Sequence, residues 1–500
     1  MHVDDFSLEP SLRALLSELI AVFSVQGVEA YATGGFLRDA LLGKKVRDLD
    51  ISVSADPLQL GPRLADTFSG HYFPLDAERR LVRVLLPAHD IHLDLLPLTG
   101  VIEDDLLSRD YTVDAMAALL GEVAAGSILL IDPTGGFNDL RDGTIRLVSE
   151  DALRRDPLRL LRGVRLASQL GFRIEPRTRG AIQRYASLLE GVVAERQRDE
   201  LAQILSTPRA TAGLRLMDEL DLLDRVMPEI ASTRGVEQPK EHHWDVFGHS
   251  LAAVEALDML LDEEAPDAEP AKSLWNELWT RLDWWSDGRA YFSREYVPNT
   301  QRCSLIKLAG FLHDIGKPQT KSFDDTGRMR FLGHADAGAE IAVRLMQRLR
   351  FSSRETELVR AMVDAHLRPL LLFQQGLPTR RAVYRFFRDT GEAGIDTLYL
   401  SLADHVATVG PRVDLEGWRR HVAVVDYLLR TRLHEPEVVH PPKLVDGDDL
   451  MSDLGLSPGP LIGELLEIVR EAQAAGEVAT RAEALELARR HLEETEAPAS

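Results

Sequence analysis

At 500 residues the chain exceeds one ordinary domain, and roughly 100–200 residues per domain predicts three or four. Its 45% apolar and 28% charged residues exclude a collagen-like or wholly disordered chain, and the single cysteine, Cys303, excludes an intramolecular disulfide. The net charge of −22 argues against a general nucleic-acid coat, yet residues 151–215 hold 13 Arg against 7 acidic residues, a local polyanion footprint.

The N-terminus carries no basic stretch of the kind that opens a secretory signal, and no run of 18 apolar residues occurs, so a cytoplasmic chain with no membrane partner is expected. Residues 8–26 predict an amphipathic helix with Leu12, Leu15, Leu16, Leu19 and Ile20 on one side. The alternating runs VEAYAT, RDLDISVS and DIHLDLLPL predict half-buried strands. Gly34-Gly35 separates the first strand from a helix, and residues 54–80 read as a loop with no evident code. Helical spacing begins near Asp151, residues 230–241 read as a boundary, and helices resume from His242 to about Val409. An acidic, Trp-rich stretch at 262–300 reads as an insertion or lid whose Trp side chains pack rather than stack on bases. The resulting division is 1–148, 149–235, 236–410 and 411–500, an α+β chain that is mostly helical after residue 150.

Strand, Gly-Gly, helix and strand form a phosphate-binding arrangement, because glycine lets the backbone approach an anion and a helix N-terminus offers free N–H groups. Residues i and i+2 of a strand share a face, so Leu49, Ile51 and Val53 point to the core while Asp48 and Asp50 point out together. Two carboxylates that close repel unless cations lie between them, which is the demand of a two-Mg²⁺ phosphoryl-transfer site. Asp94 is the candidate third carboxylate, since Ile91, Leu93 and Leu95 take the opposite face of their strand. An isolated Asp-x-Asp is more often a turn or a solvated edge; the Gly-Gly-x-x-Arg-Asp upstream reverses that.

These residues resemble the class II tRNA nucleotidyltransferase (CCA-adding enzyme) and bacterial poly(A) polymerase family. The resemblance implies a polymerase-β-like nucleotidyltransferase head followed by a helical neck, an HD domain and a helical tail. It continues through Arg109-Asp110-Tyr111-Thr112-Val113-Asp114-Ala115-Met116, where Ser108 and Asp114 stand in place of the family's usual Arg and Asn. It implies that Arg109 and Asp110 help hold ribose and triphosphate, alongside Gly34, Gly35 and Arg38.

Asp156 and Arg159 are three apart, so on one helical face they would set an acceptor beside a donor fork. Cytosine and adenine present an amino donor beside a ring-nitrogen acceptor; uracil and guanine reverse that pattern, leaving buried groups unpaired at about 1–3 kcal/mol each. The position corresponds to the family's base-contacting Glu-Asp-x-x-Arg motif, with Arg155 in place of Glu, and Asp151/Arg154 is the competing register.

His313-Asp314-Ile-Gly-Lys, with His249, His334, His366 and Asp404, supplies imidazoles and carboxylates suited to transition metals. This resembles an HD-superfamily phosphohydrolase. His249, His313, Asp314 and Asp404 would bind one metal (Ni²⁺, Mn²⁺ or Co²⁺), and His334 and His366 resemble the added ligands of two-metal members. The resemblance as a whole implies untemplated addition of C and A from CTP and ATP to the tRNA 3′ end. The alternatives are CC-only, A-only or poly(A) addition, a mainly phosphohydrolytic protein, or an RNA binder with a degenerate head. Oligomeric state is not readable from the sequence.

Overall fold

The computed structural model describes residues 2–3, 8–262, 264–285, 287–374, 376–410 and 414–496. It divides into two compact units, one of residues 1–193 and 216–226, the other of residues 194–215 and 227–500. The division falls inside the stretch 149–235.

The first unit is built on a six-stranded sheet in the order His71–Asp76, Leu81–Leu86, Ile91–Pro97, Asp48–Val53, Ala30–Thr33, Ala117–Leu119. Only Asp48–Val53 and Ile91–Pro97 run parallel; the other neighbours are antiparallel. Period-2 alternation places Leu49, Ile51, Val53, Val82, Val84, Leu93 and Leu95 wholly out of solvent. The helix Pro10–Val25 buries Leu12, Leu15, Leu16, Leu19 and Phe23. Ile20, expected on the same side, is only half-buried.

Residues 54–80 are not the loop expected. Asp56 caps a helix, Pro57–Thr67, by accepting the Leu58 N–H at 3.1 Å, and the strand His71–Asp76 follows. Gly61 and Pro62 break the helical pattern in the sequence. Gly61 is needed for close packing, since a Cβ there would come within 2.6 Å of Val82 Cγ1.

After the sheet, the helices Glu150–Arg155 and Arg159–Leu170 pack into the same unit. Tyr111, fully buried, donates its hydroxyl to the Arg159 carbonyl at 2.7 Å. That approach requires a glycine at 163, where a Cβ would lie 2.2 Å from the Tyr111 oxygen. Gly163→Ala is expected to destabilise this unit by about 1–3 kcal/mol, read as a lowered melting transition.

The second unit is helical. The stretch 262–300 contains helices Ala271–Arg281 and Gly288–Ser293, with Trp285 buried and Trp284 Nε1 donating to Asp426 at 2.8 Å. Its core helices include Val246–Leu261, Arg302–Leu312, His334–Arg348, Ser353–Ala365 and Gly394–Val409. Arg302 and Asp396, both wholly buried, meet at 2.6 Å, and Tyr291 donates to the same carboxylate at 2.8 Å. Arg302 opens the helix that leads into His313-Asp314, and Asp396 lies near the start of the helix that carries Asp404. The ion pair therefore fixes these two helices against each other. The C-terminal helices Gly447–Leu454, Pro460–Ala475 and Arg481–Glu496 close over Leu450, Leu465, Val469 and Ala484. Among the described residues no helix is long and apolar enough to cross a membrane.

Candidate functional site

In the first unit the parallel register sets Asp48 beside His92 and Asp50 beside Asp94. Asp48 is exposed, and its Oδ1 lies 3.1 Å from His92 Nδ1. Asp50 is enclosed by the Gly-Gly turn: Phe36 N–H donates to its Oδ2 at 3.3 Å. Gly34 sits at φ +59°, and a Cβ there would lie 3.0 Å from that oxygen and 3.3 Å from Arg109 Nη1. Glycine at 34 is thus required both by backbone conformation and by space.

Burial, then the charges of Asp94 and Asp114, push Asp50 up to about 6. The site is built to be negative, and ionising Asp50 there is costly until a cation arrives. Asp94 lies where the sequence placed it, but both its oxygens receive Arg83, Nε and Nη2 each at 2.7 Å. It is a carboxylate neutralised by a bidentate guanidinium, next to Asp50 rather than open beside it.

Arg38 departs from expectation. It is 5% exposed, with Nη1 donating to Asp114 at 2.6 Å and Nε and Nη2 donating to Asp39 at 2.9 and 3.0 Å. It is buried on helix Gly34–Leu41, with Nη2 3.4 Å from where a Cβ at Gly35 would lie, so it sits beneath the glycine turn. Arg109 is held by Asp105, by Ser52 Oγ at 3.3 Å and by the Asp114 carbonyl at 3.0 Å. Asp110 is buried, accepts the Tyr111 N–H at 2.9 Å and meets Arg162 Nε at 3.1 Å.

Asp156 and Arg159 do not share a helical face. Pro157 ends the first helix at Arg155, and Asp156 takes extended backbone (φ −144°, ψ 94°), its Oδ1 accepting the Leu158 N–H at 3.3 Å. Arg159 begins the next helix and reaches the Ala152 carbonyl at 3.4 Å. The competing pair, Asp151 and Arg154, forms a solvent-facing contact of 2.6 Å, and Arg154 also bonds the Tyr185 hydroxyl.

Sequence reasoning missed Arg83 and Arg162 as members of this neighbourhood, and gave Asp114 no partner there. Arg83 had a signal: it stands one strand over, in register with Asp94.

In the second unit, two triads share one residue: His249, His313 and Asp314, and Asp314, His334 and His366, all buried. Asp404 joins the first, 3.1 Å from His249 Nε2 and 3.6 Å from His313 Nε2. His313, His334 and His366 each direct Nδ1 at the carbonyl three residues earlier, at 2.8, 2.7 and 2.6 Å. With Nδ1 donating, Nε2 carries the lone pair, the arrangement of metal-binding imidazoles. Nε2 atoms then approach in pairs, His249 to His313 at 3.1 Å and His334 to His366 at 3.3 Å. Two Nε2 atoms this close need a proton or a cation between them, so these residues fit a bound metal.

The charges agree. Burial opposes ionisation of Asp314, yet Lys317 and His313 hold it well below its ordinary range. Burial likewise opposes His313, but Asp314 and Asp404 push it up to about 10, while burial and His313 take His366 down to about 3. The carboxylates demand positive charge at the centre, which a proton or a divalent cation supplies. His242, left outside the ligand set, lies with its ring 5.3 Å from that of His249.

Comparison with known proteins separates the same parts. The model described as "Poly A polymerase head domain" matches residues 30–146 and that described as "HD domain" matches 246–408. An A-adding tRNA nucleotidyltransferase of Deinococcus radiodurans is 36% identical over 93% of this chain and 96% of its own length. A CC-adding tRNA nucleotidyltransferase of Thermus thermophilus is 35% identical over 91% of this chain and 92% of its own.

The chain belongs to the tRNA nucleotidyltransferase family.

As a tRNA nucleotidyltransferase it carries a head domain and an HD domain in one chain, and both families are metal-dependent. A solved CCA-adding enzyme in its apo form superposes with a TM-score of 0.60 at 20% identity, over 98% of this chain and 96% of that one. The Thermotoga maritima CCA-adding enzyme complexed with tRNA gives 0.54, also at 20%, over 98% and 99%. These likenesses establish the fold of this nucleotidyltransferase.

Proposed function

We propose that this protein adds C and A, from CTP and ATP, to the 3′ end of tRNA without a nucleic-acid template. The observation that carries the reading is the Asp48/Asp50 pair, held on one strand face against the Gly34-Gly35 turn. Asp48 and Asp50 would hold two Mg²⁺, which, when bound, lower the pKa of the RNA 3′-hydroxyl and stabilise the departing pyrophosphate. Asp94, braced by Arg83 and in register with Asp50, would assist that pair as the third carboxylate. Gly34 and Gly35 leave room for the triphosphate, with Arg109 and Asp110 behind it. Arg38 acts from beneath, through Asp114 and Asp39.

Asp156 and Arg159 are the proposed base readers. Supporting that register, Arg159 is tied to Tyr111, and Arg162, one turn on, reaches Asp110. Asp151 and Arg154, by contrast, are each more than half exposed. The Arg-rich stretch 151–215 is the proposed tRNA contact, and a cytoplasmic setting follows from that substrate. The cluster around Asp314 would hold a transition metal (Ni²⁺, Mn²⁺ or Co²⁺) and serve a separate phosphohydrolase activity.

One observation favours a narrower second reading. Four relatives matched over more than nine-tenths of this chain comprise one A-adding and three CC-adding enzymes. On that reading this protein performs part of the addition. Three tRNA transcripts decide it, ending at the discriminator base, after one C, and after CC, each with Mg²⁺ and CTP, ATP or both. Completion of all three to CCA is the expected result. Addition that stops at CC, or occurs only on the CC end, selects the narrower reading, and no incorporation overturns both.

A further inference from the structure

Asp114 contributes no atom to the strand face that bears Asp48 and Asp50, yet it meets three guanidinium groups from three parts of the first unit. Its Oδ1 receives Arg38 Nη1 at 2.6 Å, from the helix that opens with Gly34-Gly35. Its Oδ2 lies 3.5 Å from Arg162 Nη2, on the helix Arg159–Leu170. Its carbonyl receives Arg109 Nη1 at 3.0 Å. The Asp114 side chain is 3% exposed and that of Arg38 is 6%. Arg162 is 41% exposed, so it is the joint's accessible member.

Parting this buried carboxylate from its guanidinium partners would strand a buried charge at high cost, so the arrangement defines one relative placement of the elements that carry them. One of those elements lines Asp50 through the glycine turn. The other begins with Arg159. Arg162 is shared between Asp114 and Asp110, which ties that helix to the segment 110–114 at two points.

We propose that Asp114 is a positioning residue for base selection: through Arg162 and Arg38 it fixes the helix that begins at Arg159 relative to the metal-binding strand. The base being read must sit at a set distance from the phosphorus under attack, and a displacement near 1 Å costs about 100-fold in rate. A carboxylate at this position couples the two placements; an amide there accepts a hydrogen bond but supplies no charge for two cations. The inference rests on the reading of Asp156 and Arg159 as base readers.

The test uses the full-length protein with Asp114→Asn, Arg162→Met and the double variant. Each is assayed on the tRNA transcript that wild type extends, with the accepted nucleotide and with its carbonyl counterpart (UTP for CTP, GTP for ATP). Asp114→Asn keeps the shape of the side chain, and Arg162→Met acts at a half-exposed site, so at least one variant remains folded. Each single variant is expected to lose about tenfold in kcat/KM and about fivefold in discrimination, with the double variant no worse than the weaker single. A general loosening of the fold would lower rate and melting point without changing the ratio between the two nucleotides.

The proposal is overturned if discrimination is unchanged in both folded single variants, or if the two effects multiply in the double. A wild-type enzyme that shows no preference between the paired nucleotides removes the base-selection reading and this proposal with it. Selective wild type with insensitive variants overturns Asp114 alone.

Discussion

Replacing Asp48 and Asp50 together by Ala is expected to reduce nucleotide incorporation by at least about 10³-fold, the loss of several kcal/mol of transition-state charge stabilisation. The single change Asp50→Asn separates chemistry from stability. In the metal-free protein Asp50 titrates near 6 rather than 3.8, because burial and the neighbouring Asp94 and Asp114 charges disfavour its ionised form. The folded state therefore binds more protons than the unfolded chain between those values. Stability from this group is fully present below pH 3.8 and is lost as pH rises through 6. The rise corresponds to roughly 3 kcal/mol.

Two expected results follow for melting of the first unit. In EDTA, the wild-type transition falls between pH 4 and 7 more than that of Asp50→Asn, which lacks the titration. Saturating Mg²⁺ at pH 8 raises the wild-type transition and leaves Asp50→Asn less affected. Incorporation at limiting Mg²⁺ is expected to decline below about pH 6, with added Mg²⁺ moving that limb to lower pH because metal and proton compete for one carboxylate. A flat melting profile for wild type in EDTA would overturn this account of Asp50.

The second large effect concerns Asp314, which both triads share. Asp314→Asn is expected to remove metal from both, so metal content per chain falls to near zero and phosphodiester hydrolysis drops by about 10³-fold. His249→Ala touches only the first triad and His366→Ala only the second. Each is expected to retain part of the metal. Elemental analysis after dialysis against Ni²⁺, Mn²⁺ or Co²⁺ reads this directly, and equal loss from all three variants would show a single shared ion instead. Removing the Asp314 charge also strands Lys317, whose Nζ lies 2.6 Å away, so metal-free Asp314→Asn should melt below metal-free wild type.

Much of both sites was legible because the deciding geometry is local. Asp48 and Asp50 share a face by strand alternation, and Gly34-Gly35 announces a close backbone approach where a strand passes into a helix. The candidate ligands of the HD domain gather around one dense motif, His313-Asp314-Ile-Gly-Lys, which pointed to the more distant histidines. The outward face of Asp94 follows the same logic, since its strand buries Ile91, Leu93 and Leu95; the parallel register with Asp50 came from the sheet.

What the sequence by itself determined is therefore the family, the order of its parts, and the residues whose roles depend on neighbours one to four positions away. Tertiary structure alone decided which charges cancel. Arg38 read as an open cation beside the glycine turn, and its helix face sets it against Asp114, 76 residues away. Asp94 read as an open ligand until Arg83 closed on it from the adjoining strand. Asp156 and Arg159 read as a helical pair although Pro157 between them was a local signal of the break; only packing, through Tyr111 against Gly163, set the approach of the second helix. A charged side chain takes its function from whatever opposite charge shares its burial, and that partner is chosen by packing between elements, which no local spacing encodes.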